Sequence, residues 1–321
     1  MRIAVVEDSR VVELHLFRTG QSMPGQIGIG RLVAKEAGRN FLVTGDGQTI
    51  LLHGQVEGTE GTSVRYCITR TECAEPGQVK CAEAVLADAD AVDKTAAQCW
   101  AGMVSGLSPV AMADGIPKAD LSPVIDAAMA SVSSVGEVRV SFERTKAGLV
   151  CDVDGSGDAH AANLAAAAEI ARLLRLYQVA GSVLVDFISS RNKDERLAIG
   201  AAFDAASAGD PRPFERSAVN GFGMMQVVRA KTRPSVLDML FGTHANQLSD
   251  ETRALLLLRD AARSTGFGPR TLTARPAVAT LLATSLYTPL LDQQAKMLGA
   301  PITIVADETA PGYGHVHVAQ R

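Results

Sequence analysis

The sequence places one acidic residue inside a strand-like run that is otherwise free of charge. Residues 181–188 read GSVLVDFI, and Asp186 is the only charged residue among them. An apolar run of this length predicts a buried strand in an α/β layer. Because taking an unpaired carboxylate out of water costs several kcal/mol, such an acid needs a compensating partner. We therefore expect Asp186 at the C-terminal end of its strand, facing a cation or a hydrogen-bond network.

Two further aspartates lie close together upstream, in the segment VCDVDGSG at residues 150–157. On a strand, residues two apart point to the same face, so Asp152 and Asp154 are predicted to point the same way. Their charges repel each other unless a cation lies between them. A strand carrying these acids beside the strand of Asp186 would form a magnesium site with oxygen ligands.

Two other interpretations of these acids stay open at this point. Asp154–Gly155 is a good turn former, so the acids could simply cap turns, and Asp158 is interpreted as a turn residue. The segment DVDGSGDAH also places oxygen atoms at alternate positions, as calcium-binding loops do. However, Asn163 stands at the twelfth position, where such a loop has a bidentate glutamate.

The whole chain is predicted to be an α+β protein with an α/β core. Hydrophobic residues make up 47% and charged residues 21%, as in globular chains with a real core. Periodicity and turn residues predict the elements. They are strands at 2–6 and 11–16, a small barrel of short strands at 27–85, helices at 86–107 and 122–133, an α/β layer at 148–228 that ends in a strand at 217–228, a basic segment at 229–233, and a terminal α+β unit after 250 with a helix at 277–298.

The beginning of the sequence and the cysteines bear on the expected compartment. The first residues do not resemble a secretory signal, and no run of eighteen apolar residues predicts a membrane span. Five cysteines without a CxxC pair are typical of reduced thiols, so we expect a cytoplasmic protein. A zinc site from Cys67, Cys73 and Cys81 remains an alternative, although their spacing fits no common pattern.

The central part of the sequence resembles the ribonuclease E/G family. The resemblance is carried by VCDVDGSGDAHAANLAAAAEIARLLRLYQVAGSVLVDFISS, which is similar to the family's aspartate–x–asparagine strand, its helix of the form NLEAAxEIARQLRL and its VIDFIDM strand. The later segment FGMMQVVRAKTRPSVLDML is also similar to a family segment. The resemblance implies an endoribonuclease that hydrolyses single-stranded RNA with Mg²⁺, for which Mn²⁺ could substitute.

The resemblance assigns roles to individual residues. The family's two metal-binding aspartates fall on Asp152 and Asp186, and its neighbouring asparagine falls on Asp154. An acid therefore replaces an amide, which puts the metal preference and pH dependence of this chain in doubt. We expect Asp152 and Asp186 to hold the metal ion, and Asp154 to orient or deprotonate the attacking water.

The resemblance also implies a domain order. An RNase H-like part is expected at 1–24 and 86–147, with an OB-like barrel inserted at 25–85. A DNase I-like catalytic layer is expected at 148–240, and a small C-terminal domain at 250–321.

Candidate RNA contacts lie in two places. In the barrel, Phe41 and His53 would face nucleic acid and Arg70 would contact phosphate, but Phe41 could equally be core and Arg70 a solvated charge. Arg229, Lys231 and Arg233 alternate in the basic segment, so on a strand they would face one strip of RNA backbone. The net charge of −4 argues weakly against a nucleic-acid partner.

Two features of the family are not found in the sequence. Residues 86–120 lack the arginine–threonine–alanine–glycine motif of the 5′-monophosphate sensor, and residues 234–249 lack cysteines for a zinc link. Cleavage is therefore expected to be independent of the 5′ end, with no zinc and no membrane partner, and a homodimer stays open. The rival hypotheses are a non-catalytic RNA-binding relative and a phosphodiesterase that acts on DNA.

Overall fold

The computed structural model describes residues 2–18, 20–36, 39–103 and 121–320, and it divides into two compact units, Met1–Met239 and Leu240–Arg321. Both units mix helices and strands, which confirms the predicted α+β class. No helix in the described ranges has the length and apolar character needed to cross a bilayer.

The elements of the first unit are β1 (Arg2–Glu7), β2 (Arg10–Leu16), β3 (Ile27–Glu36), β4 (Arg39–Val43), β5 (Thr49–His53), β6 (Ser63–Arg70), β7 (Cys73–Glu75), β8 (Gln78–Lys80), β9 (Ala82–Leu86), α1 (Ala96–Met103), α2 (Ser122–Ala130), β10 (Val132–Val135), β11 (Val138–Thr145), β12 (Gly148–Gly155), α3 (Ala159–Leu176), β13 (Gly181–Asp186), α4 (Lys193–Ser207), β14 (Phe214–Arg216) and β15 (Met224–Arg229), followed by α5 (Val236–Phe241) at the boundary.

The predicted small barrel is confirmed. Five strands close in the order β3-β4-β5-β9-β6, and alternate side chains such as Leu32, Leu42 and Ile50 fill the interior. Tyr66 also lies inside, directly against Gly28, where an added Cβ atom would come 2.4 Å from the Tyr66 hydroxyl oxygen. Glycine in β3 therefore makes room for the one aromatic ring of the barrel core.

The α/β layer is built on a six-stranded sheet with the order β10-β11-β12-β13-β15-β14. Only the central pair β12 and β13 is parallel. One face of the sheet is apolar, with Cys151, Val153, Val183 and Val185 buried, and α3 packs against that face with α4 beside it. The opposite face carries the alternate residues of the same strands, which are exposed or half-buried.

The sheet changes one expected boundary. Strands β10 and β11 lie in the segment expected to belong to the RNase H-like part that ends at residue 147, but β10 pairs with β11 and β11 with β12 in one sheet. The layer therefore begins near residue 132. The boundary differs because a tight turn at residues 146–147 joins β11 to β12, and the two strands pair along their whole length.

Three helix predictions were inaccurate. The helix expected at 86–107 begins only at Ala96, because residues 82–86 form the strand β9; its end lies outside the described residues. The helix expected to reach 133 ends at Ala130, where Ser131 adopts a left-handed conformation with φ 55°. In the second unit, the helix expected at 277–298 is two helices, since Pro289 starts a new helix and cannot continue an old one.

The second unit is a small α+β unit, as predicted. Its three-stranded sheet has the order β17-β16-β18, and an apolar cluster that includes Leu257, Leu272 and Leu282 forms its core. The elements are α6 (Asp250–Arg263), β16 (Arg270–Ala274), α7 (Pro276–Leu282), α8 (Thr288–Leu298), β17 (Ile302–Ala306) and β18 (His315–Val318).

Candidate active site

The strand register brings two of the predicted site residues side by side. Asp152 of β12 is the direct partner of Asp186 in the parallel pairing with β13. Neighbouring strands lie about 4.8 Å apart, so these two backbone positions are adjacent. Asp186 is the last residue of its strand, as the sequence predicts. Asp154 is exposed and lies two residues beyond Asp152 on the same face of β12. All three carboxylates therefore belong to the open face of the sheet.

The negative charges of the three aspartates are not neutralised by ion pairs with described residues. Among the described residues, none of the three carboxylates forms an ion pair with an arginine or lysine. Partial desolvation raises the pKa of Asp152, and the negative charges of Asp154 and Asp186 raise it further. Arg139 of β11 is the cross-strand partner of Asp154, and it is the nearest cationic position in the register. A cation between Asp152 and Asp186 would relieve this repulsion.

The turn-cap and calcium-loop interpretations do not fit the local structure. Asp154 and Gly155 belong to β12 rather than to a turn. Asp158 is the N-cap of α3, and its side chain accepts a hydrogen bond from the backbone N–H of His160 at 3.2 Å. The oxygen-bearing residues are thus divided between a strand and a helix cap, and they do not surround one ion.

Asn163 positions the end of β13, a role that sequence reasoning missed. It is fully buried in the first turns of α3. Its side-chain Nδ2 donates to the carbonyl of Ile188 at 2.7 Å, and its Oδ1 accepts from the Ile188 N–H at 3.0 Å. Ile188 follows Asp186 by two residues, so this amide fixes the backbone that leaves the site. The sequence signal that could have revealed this role was the position of a polar residue on the apolar side of a predicted helix.

The barrel candidates share one outer surface. Phe41 alternates with the buried Asn40 and Leu42 and is half-buried, so it lies outside the barrel core. The His53 side chain is 52% exposed, and its Nε2 lies 3.3 Å from a carboxylate oxygen of Glu83. Arg70 reaches the same glutamate at 2.7 Å. Two of the three candidates are therefore drawn to one acid, which leaves this surface less cationic than expected.

The basic segment does not form the predicted strip. Strand β15 ends at Arg229, and residues 230–233 are not a strand. Arg229 is 2% exposed, pairs with Asp210, and donates to the carbonyls of Leu174 and Val179.

The other two cations of this segment are also engaged inside the protein. Arg233 is buried, donating to Gln178 Oε1 at 2.9 Å and contacting His15 Nδ1 at 2.5 Å. Lys231 lies 3.1 Å from both Glu75 and Asp238. These cations are paired within the first unit instead of facing solvent together.

Metal alternatives based on larger clusters find no support. In the described part of the chain, no group of three or more His, Cys, Asp or Glu side chains is placed to hold a metal ion. The suggested zinc site of Cys67, Cys73 and Cys81 is therefore not formed. Burial raises the pKa of Cys73 to about 11, the opposite of what a zinc thiolate requires. A cation at Asp152 and Asp186 would take its remaining ligands from water and substrate.

Comparison with known proteins matches the part of the chain that carries these aspartates. Residues 134–232 match the family model described as the ribonuclease E/G family, and this segment holds β11 to β15 with all three aspartates. This part of the chain is similar to the ribonuclease E/G family. A protein of Arabidopsis thaliana named "Ribonuclease E/G-like protein, chloroplastic" is 33% identical over 78 residues. That similarity covers 24% of this chain and only 8% of the length of the plant protein.

Proposed function

We propose that this chain is a metal-dependent endoribonuclease of the ribonuclease E/G family that hydrolyses single-stranded RNA. The observation that carries the proposal is the in-register pair of Asp152 and Asp186 on an open sheet face, without a cationic side chain to neutralise it. A buried structural pair of acids would be covered or hydrogen-bonded, whereas this pair faces solvent. The similarity of residues 134–232 to the ribonuclease E/G family supports a ribonuclease activity.

The residues present fit a hard divalent cation. Mg²⁺ is commonly held by one or two carboxylates, and it keeps waters and substrate phosphate oxygens as its other ligands. Asp152 and Asp186 supply two such carboxylates from neighbouring strands. Mn²⁺ has similar ligand preferences and is the expected substitute. A bound ion of this kind would polarise a phosphate and lower the pKa of water at the site.

The chain's own side chains would then orient the reactants. Asp154 lies two residues from Asp152 on the same face of β12. Its carboxylate oxygens would accept a proton from an attacking water. Asn163 holds the Ile188 backbone and thereby the direction of the Asp186 strand end. The expected products carry a 5′-phosphate and a 3′-hydroxyl, as the family resemblance implies.

The RNA path would combine the open sheet face with the barrel. A closed five-stranded barrel with this strand order is typical of OB-like modules that bind single-stranded nucleic acids. Phe41 and His53 on its outer surface would contact bases, and Arg70 would contact phosphate only when it leaves Glu83. We assign the RNase H-like and DNase I-like interpretations to the remaining layers on resemblance alone. Independence of the 5′ end remains part of this proposal, and residues 104–120 of the sensor region lie outside the described residues.

A second candidate function is RNA binding without cleavage. Two specific observations favour it: an acid at Asp154, where the family has an asparagine, and the internal pairing of the basic segment. The test is incubation of a labelled single-stranded RNA with the protein, with Mg²⁺ and with Mg²⁺ plus chelator. Cleavage that chelator stops supports the nuclease, and intact RNA that is bound supports the second candidate. Faster cleavage of a matched DNA oligonucleotide would assign the chemistry to DNA instead.

A further inference from the structure

An exposed phenylalanine lies beside the acid pair. Phe222 is 87% exposed at the tip of the loop that leads into β15. The carbonyl of the next residue, Gly223, accepts a hydrogen bond from the Phe187 N–H at 3.1 Å, and Phe187 follows Asp186. Met224 is the direct cross-strand partner of Asp186. The loop is thus tied to the strand end that carries the candidate metal ligand.

The loop is held in one conformation by its own hydrogen bonds. Asn220 Oδ1 accepts from the backbone N–H groups of Phe222 at 2.9 Å and of Met224 at 3.1 Å. Gly223 has φ +86°, and an added Cβ atom there would come 2.6 Å from the Phe187 carbonyl oxygen. Because this close approach requires glycine, the neighbouring aromatic ring is presented on a fixed backbone. Because Phe222 is 87% exposed, its ring buries little apolar area in the folded chain and is available to a ligand.

A basic groove adjoins the same loop. It has a volume of about 260 Å³, and its lining includes Asn220 and Gly221 together with Lys193, Arg196 and Arg216. Arg216 is held by Asp204, at 2.7 Å and 2.5 Å, so its charge is already compensated. Within the described residues, Lys193 and Arg196 form no side-chain ion pair. The groove therefore offers two uncompensated cations next to an exposed aromatic ring.

We infer that Phe222 and the groove of Lys193 and Arg196 bind one nucleotide of single-stranded RNA next to the cleavage site. The base would stack on the Phe222 ring, and its phosphate would lie against the two cations. An aromatic platform beside a cationic groove is how proteins hold single strands without reading sequence. The charge complements RNA, whereas an apolar protein partner would leave both cations unpaired. This inference rests on the proposed function, because the nucleotide is assigned from the pairing of Met224, next to the Phe222 loop, with Asp186.

The stacking half is tested by RNA affinity in the presence of chelator, so that cleavage plays no part. Replacing Phe222 by Ala should weaken binding of a labelled single-stranded RNA by about 5- to 100-fold, the range for losing one stacked base. Phe222→Tyr keeps a ring and should restore most of the affinity. Phe267→Ala is the matched control, since Phe267 is 86% exposed in the second unit. Quenching of 2-aminopurine placed at successive positions of the RNA should be lost at one position in Phe222→Ala only.

The cationic half is tested by salt dependence. Each phosphate contact on a single strand contributes about 0.7 to the slope of log affinity against log salt concentration. The double variant Lys193→Gln/Arg196→Gln should lower that slope by about this amount and each single variant by part of it, whereas the exposed Lys296→Gln should leave it unchanged. Circular dichroism and melting temperature of each variant confirm that the fold is intact.

The outcomes separate this inference from the function on which it rests. If the wild-type chain neither binds nor cleaves RNA, both the proposed function and the proposed nucleotide site are refuted. If the wild type binds RNA and Phe222→Ala matches Phe267→Ala, only the nucleotide site is refuted. A fall in oligomeric mass on Phe222→Ala with unchanged RNA affinity would also refute it, by assigning the ring to self-association.

Discussion

The charge repulsion at the acid pair predicts a stabilising substitution. Replacing Asp152 by Asn removes one of three neighbouring negative charges. Partial desolvation and the charges of Asp154 and Asp186 raise the pKa of Asp152, so its charged form is disfavoured in the folded protein. At neutral pH without metal, the Asn variant should therefore be more stable than the wild type.

The size of the effect follows from the sheet geometry. Strand spacing and pleat place the charges about 5–7 Å apart, and Coulomb's law in water then gives about 0.6–0.8 kcal/mol for each pair. A Debye length of about 8 Å at physiological salt removes roughly half of this. Asp152 takes part in two pairs, so its loss should stabilise folding by about 0.5–1 kcal/mol. For a unit of this size that equals a rise of about 1–4 °C in melting temperature.

The assay is thermal unfolding in chelator, followed by circular dichroism at several pH values. The sign is fixed by the raised pKa: the penalty is present above the folded-state pKa of Asp152 and disappears as pH falls and the carboxyl group is protonated. The advantage of Asp152→Asn should therefore shrink towards low pH. Asp90→Asn, at an exposed site away from the acid pair, is the control for net charge. An unchanged or lower melting temperature at pH 7 would refute the reasoning.

Further predictions concern the support of the site. Asn163→Leu should lower the free energy of unfolding by about 1–3 kcal/mol, since two part-buried backbone groups of Ile188 lose their partners, and it should slow cleavage; denaturant titration and cleavage rates measure both. Arg229→Met should lower the free energy of unfolding by about 3–5 kcal/mol, because the buried side chain of Asp210 loses its partner. The RNA affinity of the folded variant, measured by titration, should stay unchanged. Because burial raises the pKa of Cys151 to about 12, its thiol should not react with a thiol reagent at pH 8 until the protein is unfolded. Because the pKa of Asp152 is raised in the metal-free protein, protons should compete with the cation, so Mn²⁺ affinity should fall as the pH is lowered from 7 to 5; an affinity that does not change over this range would contradict this.

Much of the site could be read from local sequence patterns. An apolar run interrupted by one acid was enough to predict the strand that ends at Asp186, and two-residue alternation placed Asp152 and Asp154 on one face. The direct pairing of Asp152 with Asp186 could not be derived, because register between strands depends on contacts far apart in the sequence.

The failures have the same physical origin. Arg229 and Arg233 look like solvent-facing cations in the sequence, but their partners Asp210 and Gln178 are brought to them only by the tertiary fold. The expected strip also required a strand as far as residue 233, and β15 ends at Arg229. Asn163 was missed because a polar residue near a helix start is usually explained by capping, whereas here it satisfies the backbone of Ile188, just after β13.

The central claim is that the carboxylates of Asp152 and Asp186 together bind one divalent cation. Titration of the metal-free protein with Mn²⁺, followed by electron paramagnetic resonance, measures this without any RNA. One bound ion per chain is predicted for the wild type and for Asp90→Asn, with at least tenfold weaker binding for Asp152→Asn and for Asp186→Asn. Equal binding by all four proteins, or none by the wild type, would contradict the account.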